Sequence, residues 1–167
     1  MKKFIFPACV LFTFIASSQT FVSTSVENKN VILEEYTGIG CVYCPDGHKI
    51  GQQLHDANPN DVFLINIHTG GYANPQGSGT DFNTTFGSAL ANQTGLTGYP
   101  SGTVNRHIFS GSTTTAQSRT SWSSSSSTIR NEVSPVNVGL QASIDMASNT
   151  LTVDVEVYYT GSQTISS

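Results

Sequence analysis

Cys41 and Cys44 stand three positions apart in the run Gly40-Cys41-Val42-Tyr43-Cys44-Pro45. A pair at this spacing reads in three ways: a redox-active dithiol, a static disulfide that pins a loop, or half of a metal site. The metal reading needs two further ligands, and Asp46, His48 and His68 are the near candidates in sequence. In the redox reading a thiolate attacks. Cys41, at the edge of its loop, is the expected attacker, and Cys44, one helical turn further in, is placed to resolve a mixed disulfide. Glu35 lies six positions before Cys41. Burial beside a dithiol raises a carboxyl pKa toward that of a useful base. The alternative is that Glu34 and Glu35 form one solvated strand end. His48 follows Cys44 by four positions and so neighbours it on a helix, where a protonated ring favours a thiolate. It also reads as an exposed or capping histidine.

The elements around the pair follow from periodicity and punctuation. Val31 to Tyr36 is apolar and β-branched, with Thr37-Gly38 as a stop, which predicts a buried strand. Pro45 suits only a first helical turn, and Ile50 and Leu54 recur four apart before Asn58-Pro59-Asn60, which predicts a helix. The pair thus sits where a strand hands over to a helix, whose N-terminal N–H groups and dipole stabilise a thiolate. Residues 61–67 predict a second strand, joined to the first by a right-handed parallel crossover. Phe82, Phe86, Ala89 and Leu90 predict a helix with Thr80 or Asp81 as N-cap and Gly95 as stop. Pro100 then opens a third strand. The loop 69–79 leaves the second strand at the edge where the cysteine loop leaves the first, so it is expected to border the dithiol, with Tyr72 as a substrate contact. A plain solvent loop is the alternative. His68 ends its strand at the same edge.

These residues resemble a thioredoxin-like domain: a cysteine pair after the first strand and a Gly98-Tyr99-Pro100 before a later one. The resemblance implies a cis Tyr99-Pro100 peptide, with Pro100 facing the cysteines and the Tyr99 backbone pairing with an extended substrate. It places Glu35 where such domains carry a buried carboxylate that takes the proton of the second thiol. Val42 and Tyr43, between the cysteines, complete the expected substrate contacts with Tyr72 and Tyr99. They stand where thioredoxins carry Gly-Pro, no Trp precedes Cys41, and Pro45 follows Cys44 directly. Leu33-Glu34-Glu35-Tyr36-Thr37-Gly38, Cys41-x-x-Cys44-Pro45-Asp46-Gly47-His48, Asn66-Ile67-His68, Gly98-Tyr99-Pro100 and Val104-Asn105-Arg106 together are similar to the outer-membrane-protein-28-related family. Members of that family are exported Gram-negative bacterial proteins in which a thioredoxin-like unit precedes a β-rich region. The similarity covers residues 30–135.

The rest of the chain frames this unit. Met1-Lys2-Lys3, the apolar run Phe4 to Ala16 and Ala16-Ser17-Ser18 read as a secretory signal over residues 1–18, with Cys9 inside it. Loss of Lys2 and Lys3 from seven basic residues leaves five against eleven acidic, a net charge of −6. Residues 19–29 read as a linker, 30–133 as the thioredoxin-like domain and 134–167 as an incomplete β-sandwich, a hairpin at the start of an immunoglobulin-like domain. The fold class is therefore α/β, a thioredoxin-like sheet with flanking helices, followed by a β-rich start. The hairpin rests on alternation: Val136, Val138, Leu140, Ala142 and Ile144, a turn at 146–150, then Leu151, Val153, Val155, Val157 and Tyr159. Between the units, Ser- and Thr-rich sequence with five serines at 123–127 reads as a weak helix over 116–131, with Trp122, Ile129 and Val133 on one face, or as a flexible linker. With 11% charged residues and no Lys/Arg run, nucleic acid is excluded as an expected partner. No transmembrane span is expected after the signal. The expected chemistry uses no cofactor and no metal. Two functions follow: an extracytoplasmic thiol-disulfide oxidoreductase acting on protein thiols or disulfides, or a non-catalytic envelope protein with a structural disulfide. Either is expected in the periplasm, outer membrane or cell surface of a Gram-negative bacterium, with an envelope partner.

Overall fold

The β-branched run at Val31 becomes the central strand of a sheet. In the computed structural model, which describes residues 21–162, β1 (Val31–Thr37) pairs in parallel with β2 (Val62–His68) and antiparallel with β3 (Ser101–Val104). A two-residue edge strand, β4 (Gln117–Ser118), pairs with β3, giving the order β2-β1-β3-β4. The expected signal over 1–18 lies outside the described residues. Those residues form two compact units, 26–135 with 161–162, and 21–25 with 136–160.

Each face of the sheet in the larger unit has its own apolar cluster. On one, Val31, Leu33, Val62 and Val104 meet Ile50 and Leu54 of α1 (Cys44–Ala57) and Trp122 and Ile129 of α3 (Trp122–Arg130). On the other, Tyr36 and Ile67 meet Leu90 and Ala91 of α2 (Thr85–Asn92). Gly102 lets Trp122 approach, since a Cβ there would lie 2.9 Å from the indole ring and 3.0 Å from the Glu34 carbonyl. The indole N–H donates to the Gln117 carbonyl at 3.3 Å. β3 stops after Val104 because Asn105 turns away with φ 50° and its side chain replaces the ladder, accepting from Ile32 N–H at 2.7 Å and donating to the Asn30 carbonyl at 2.8 Å.

Two helices begin later than periodicity predicts. Asp81 does not cap α2: its carboxylate accepts from the backbone and side-chain N–H of Asn83, whose amide also donates to the Ala73 carbonyl at 3.0 Å. Thr84 is the cap, its hydroxyl accepting from Gly87 N–H at 2.9 Å. Phe82, before the helix, and Phe86, within it, are both exposed, and the helix buries Gly87 and Ala91 instead. The helix expected over 116–131 starts at Trp122, because Gln117 and Ser118 are taken by the sheet and Arg119–Ser121 form a 3-10 turn. The serine run is therefore helix rather than linker, with Ser125 and Ser126 buried and Ser125 donating to the Gln117 side chain at 2.7 Å. Val133 lies beyond that helix, bridged to Asn28 and exposed.

The smaller unit is a hairpin of β5 (Val136–Asp145) and β6 (Thr150–Tyr159), with Val138 opposite Val157, Leu140 opposite Val155 and Ile144 opposite Leu151. Asp145 holds the turn, accepting from Ala147 N–H at 2.8 Å and from the Ser148 hydroxyl at 2.7 Å. Residues 21–25, expected as linker, lie along the hairpin. Glu156 accepts from Phe21 and Val22 N–H, and Asn137 donates to the Ser23 and Ser25 carbonyls.

The packing at Gly102 gives a measurable outcome. Gly102→Ala should cost about 1–3 kcal/mol through overpacking against the indole, whereas Gly98→Ala, whose Cβ meets nothing within 4 Å, should change stability by no more than about 0.5 kcal/mol. Urea unfolding followed by fluorescence of Trp122, the single tryptophan, measures both. Equal stability of the two variants would show that the indole has room to spare.

Candidate redox site

Cys41 and Cys44 are joined in a disulfide with their Cα atoms 5.4 Å apart. Cys44 is the first residue of α1, and Pro45 occupies the opening turn, where its missing N–H costs no hydrogen bond. The N-cap, Tyr43, makes no side-chain capping bond. Cys41 is 7% exposed and Cys44 1% exposed, so the expected attacker is the more accessible of the two but is itself largely covered. Val42 and Tyr43 between them project into solvent.

Glu35 is 3% exposed, which removes the reading of Glu34 and Glu35 as a solvated strand end. Its two carboxyl oxygens have different surroundings. Oε2 lies 3.0 Å from His48 Nδ1, while buried Oε1 has no hydrogen-bond partner. A Cβ on Gly47 would lie 2.5 Å from Oε1 and 3.0 Å from Pro100. Glu35 therefore sits beneath the first turns of α1, between Gly47 and Pro100. Burial pushes its carboxyl up to about 7. His48 completes the group with Nε2 3.3 Å from the Thr37 hydroxyl, and burial holds its imidazole below the ordinary histidine range. The expectation that a protonated His48 supports a Cys44 thiolate gives way to this one: the ring is engaged by Glu35 and Thr37, and its lowered pKa favours the neutral form.

The Tyr99-Pro100 peptide is cis, as the thioredoxin resemblance implies, and Pro100 is buried. Tyr99 and Tyr72 meet edge to face at 5.7 Å between centroids. The Tyr72 carbonyl accepts from Gly40 N–H at 2.8 Å, and a Cβ on Gly38 would fall on the Tyr72–Ala73 peptide. The loop 69–79 thus packs directly on the cysteine loop. Ile39, Val42, Tyr43 and Tyr72 leave apolar surface exposed around the pair.

Of the three side chains weighed as metal ligands, His48 is on Glu35 and Asp46 on Arg119 at 2.5 Å, while His68 lies against the Phe82 ring at 5.1 Å with its buried Nδ1 lacking a hydrogen-bond partner. Among the described residues no three His, Cys, Asp or Glu side chains gather in an arrangement that could hold a metal ion, and no helix is long and apolar enough to cross a membrane. One pair escaped sequence reasoning. Glu34 accepts from Arg106 Nε at 2.8 Å and from the Thr103 hydroxyl at 2.7 Å, and these bonds, the guanidinium first, hold its carboxyl below the ordinary range. The signal was present in two acidic residues opening onto a later Val-Asn-Arg, but only strand register brings them together.

A parallel β-α-β unit joined to an antiparallel strand, with Cys-x-x-Cys opening the first helix and a cis-proline before β3, defines a thioredoxin-like domain carrying a disulfide module, here followed by a β-rich region. No family model and no curated protein sequence matches the chain. Among solved structures it is similar to Protein AGR_C_4864 from Agrobacterium tumefaciens, with TM-score 0.50 and 14% identity over 77% of this chain and 57% of that one. It is also similar to HBP35 of Porphyromonas gingivalis, with TM-score 0.45 and 20% identity over 70% of this chain and 38% of that one. The chain thus spans less than two thirds of each protein, and at these identities the likeness concerns the fold alone.

Glu35 yields a pH signature. Its folded pKa of about 7 lies above the 4.5 of an ordinary glutamate, so between these values the folded state binds more protons than the unfolded state. Stability from this group is complete below about pH 4.5 and is lost as pH rises through about 7, a change of about 3 kcal/mol. Comparing urea unfolding of oxidised wild type and Glu35→Gln at pH 5 and pH 8 measures it. The loss toward pH 8 should be smaller in the variant by that amount, and identical pH slopes would place the Glu35 titration near its unfolded value.

Proposed function

We propose that this chain is an extracytoplasmic thiol-disulfide oxidoreductase of the outer-membrane-protein-28-related kind, acting on protein thiols or disulfides. The supporting observation is the buried Glu35 carboxyl with an unpartnered Oε1 beneath the disulfide-bearing turn. A disulfide that only pins a loop has no need of a buried, incompletely bonded acid, which costs stability at neutral pH. In the reducing direction the Cys41 thiolate attacks a client disulfide, one client sulfur leaves as thiolate, and a mixed disulfide forms. Glu35 takes the Cys44 proton. The Cys44 thiolate then attacks the Cys41 sulfur, the second client thiolate leaves, and two electrons have passed from the dithiol to the client. The oxidising direction reverses each step. Pro100 shapes the groove, the Tyr99 backbone pairs with an extended client, and the exposed side chains of Val42, Tyr43 and Tyr72 supply apolar contact.

An exported setting in the periplasm, outer membrane or cell surface fits the basic-apolar start and keeps the pair oxidised at rest. The hairpin of 136–160 is proposed as the opening of an immunoglobulin-like sandwich, since two strands alone are only marginally stable. One observation favours a second reading, a non-catalytic envelope protein with a permanent bond: Cys41 is 7% exposed.

Trapping separates the two. Cys44→Ser should accumulate a mixed disulfide with a model protein disulfide through Cys41, and Cys41→Ser should accumulate none, as judged by non-reducing gels and mass spectrometry. Failure of wild type to reduce or oxidise any test protein, with no adduct in Cys44→Ser, would leave the structural-disulfide reading in its place.

A further inference from the structure

We infer that His48 is the proton outlet of Glu35, so that the proton released by Cys44 each time the dithiol is oxidised reaches solvent through the His48 ring. This rests on the exchange chemistry proposed above and adds the route by which its base is reset. A base sealed from water works once unless its proton can leave, and the Glu35 side chain is 4% exposed. Oε1 faces Gly47 and Pro100, neither of which can accept a proton. Cys44 lies one helical turn before Gly47, on the same side of α1. Oε2 faces His48 Nδ1 at 3.0 Å, and the His48 side chain is 40% exposed. The carboxyl therefore has a face toward the dithiol turn and a face toward a ring that meets solvent.

The step balances without a further reactant. The Cys44 S–H bond breaks and its proton binds the Glu35 carboxylate. The carboxyl group turns about its Cγ–Cδ bond to present that proton to Nδ1, giving imidazolium and carboxylate, and the imidazolium loses its Nε2 proton to water as the 3.3 Å contact with Thr37 opens. Both groups return to their starting charge, and proton exchange with water returns the ring from its Nδ1–H to its Nε2–H tautomer before the next turnover. Apart from Lys49, the other charged side chains near this group have partners of their own. On α1, Asp46 pairs with Arg119, and Lys49 is exposed. On the opposite face of β1, Glu34 pairs with Arg106. From β3, Gly102 and Thr103 carry no charge, and Tyr99 before it hydrogen-bonds Thr69. α3 turns Trp122, Ser125 and Ser126 inward, and its Arg130 pairs with Asp61. His48 is left as the ionisable side chain that both touches Glu35 and reaches water. Neutral imidazole near pH 7 suits this task, and burial, which lowers the His48 pKa, keeps the ring neutral and able to accept.

The test is single-turnover oxidation of the reduced full chain by a model protein disulfide, followed across pH. His48→Ala should resolve the mixed disulfide about tenfold more slowly near neutral pH, with the rise of the rate displaced to higher pH, and added imidazole should restore the rate. His48→Gln keeps a hydrogen-bond donor toward Glu35 but carries no proton, so it should be as slow as His48→Ala while its melting temperature stays at the wild-type value. Imidazole should not rescue Glu35→Gln/His48→Ala. A wild-type rate and pH profile in either single variant, or no rescue of His48→Ala by imidazole, overturns the outlet and leaves the exchange function standing. A wild type that exchanges with no protein disulfide overturns the function and the outlet together.

Discussion

The site depends on one unfavourable burial: a carboxyl group placed in the middle strand of the sheet and covered on its site face. An acid in that position raises its pKa because water is withdrawn from its charged form, and the two neighbours of Oε1 matter for what they leave out. Gly47 leaves out a Cβ that would overlap Oε1, and Pro100 leaves out a backbone N–H. The adjacent residue shows the opposite treatment. Glu34, on the other face of β1, meets Arg106 and Thr103 and has its charge stabilised instead. Two consecutive glutamates are thus driven apart in acidity by strand alternation alone, one becoming a base poised near neutrality and the other a structural anion that ties β1 to the turn after β3.

Much of this was legible along the chain because it is local. The β-branched run at Val31, the proline after Cys44 and the strict alternation from Val136 to Tyr159 each carry their element in their own period. Where local signals compete, reading failed. Asp81 and Thr84 are both good caps, and the choice fell to Thr84 because Asn83 engages Asp81 and is itself tied to Ala73. Gln117 and Ser118 have no strand signature, and they pair because β3 presents an unfilled edge.

The site was legible by type and spacing, but its connections were not. Cys41, Cys44, Glu35 and Pro100 follow from the motif and the thioredoxin resemblance. The engagement of His48 with Glu35 rather than with Cys44 depends on which way the helix is turned over the sheet, a tertiary fact that the four-residue spacing from Cys44 does not contain. Glu34 and Arg106, 72 positions apart, meet only through the antiparallel register of β1 with β3.

The central position of β1 also sets a hierarchy of motion. Its amides are bonded to β2 on one side and β3 on the other, with apolar clusters above and below, so they open to hydrogen exchange only with the larger unit as a whole. The cysteine loop begins one residue past the end of that strand, at Gly38, and ends in a helix start without a side-chain cap. The reactive segment therefore joins the slowest-opening part of the molecule to a frayable helix end, and a change of the two sulfurs between bonded and free can be absorbed over a few residues while the carboxyl beneath keeps its place.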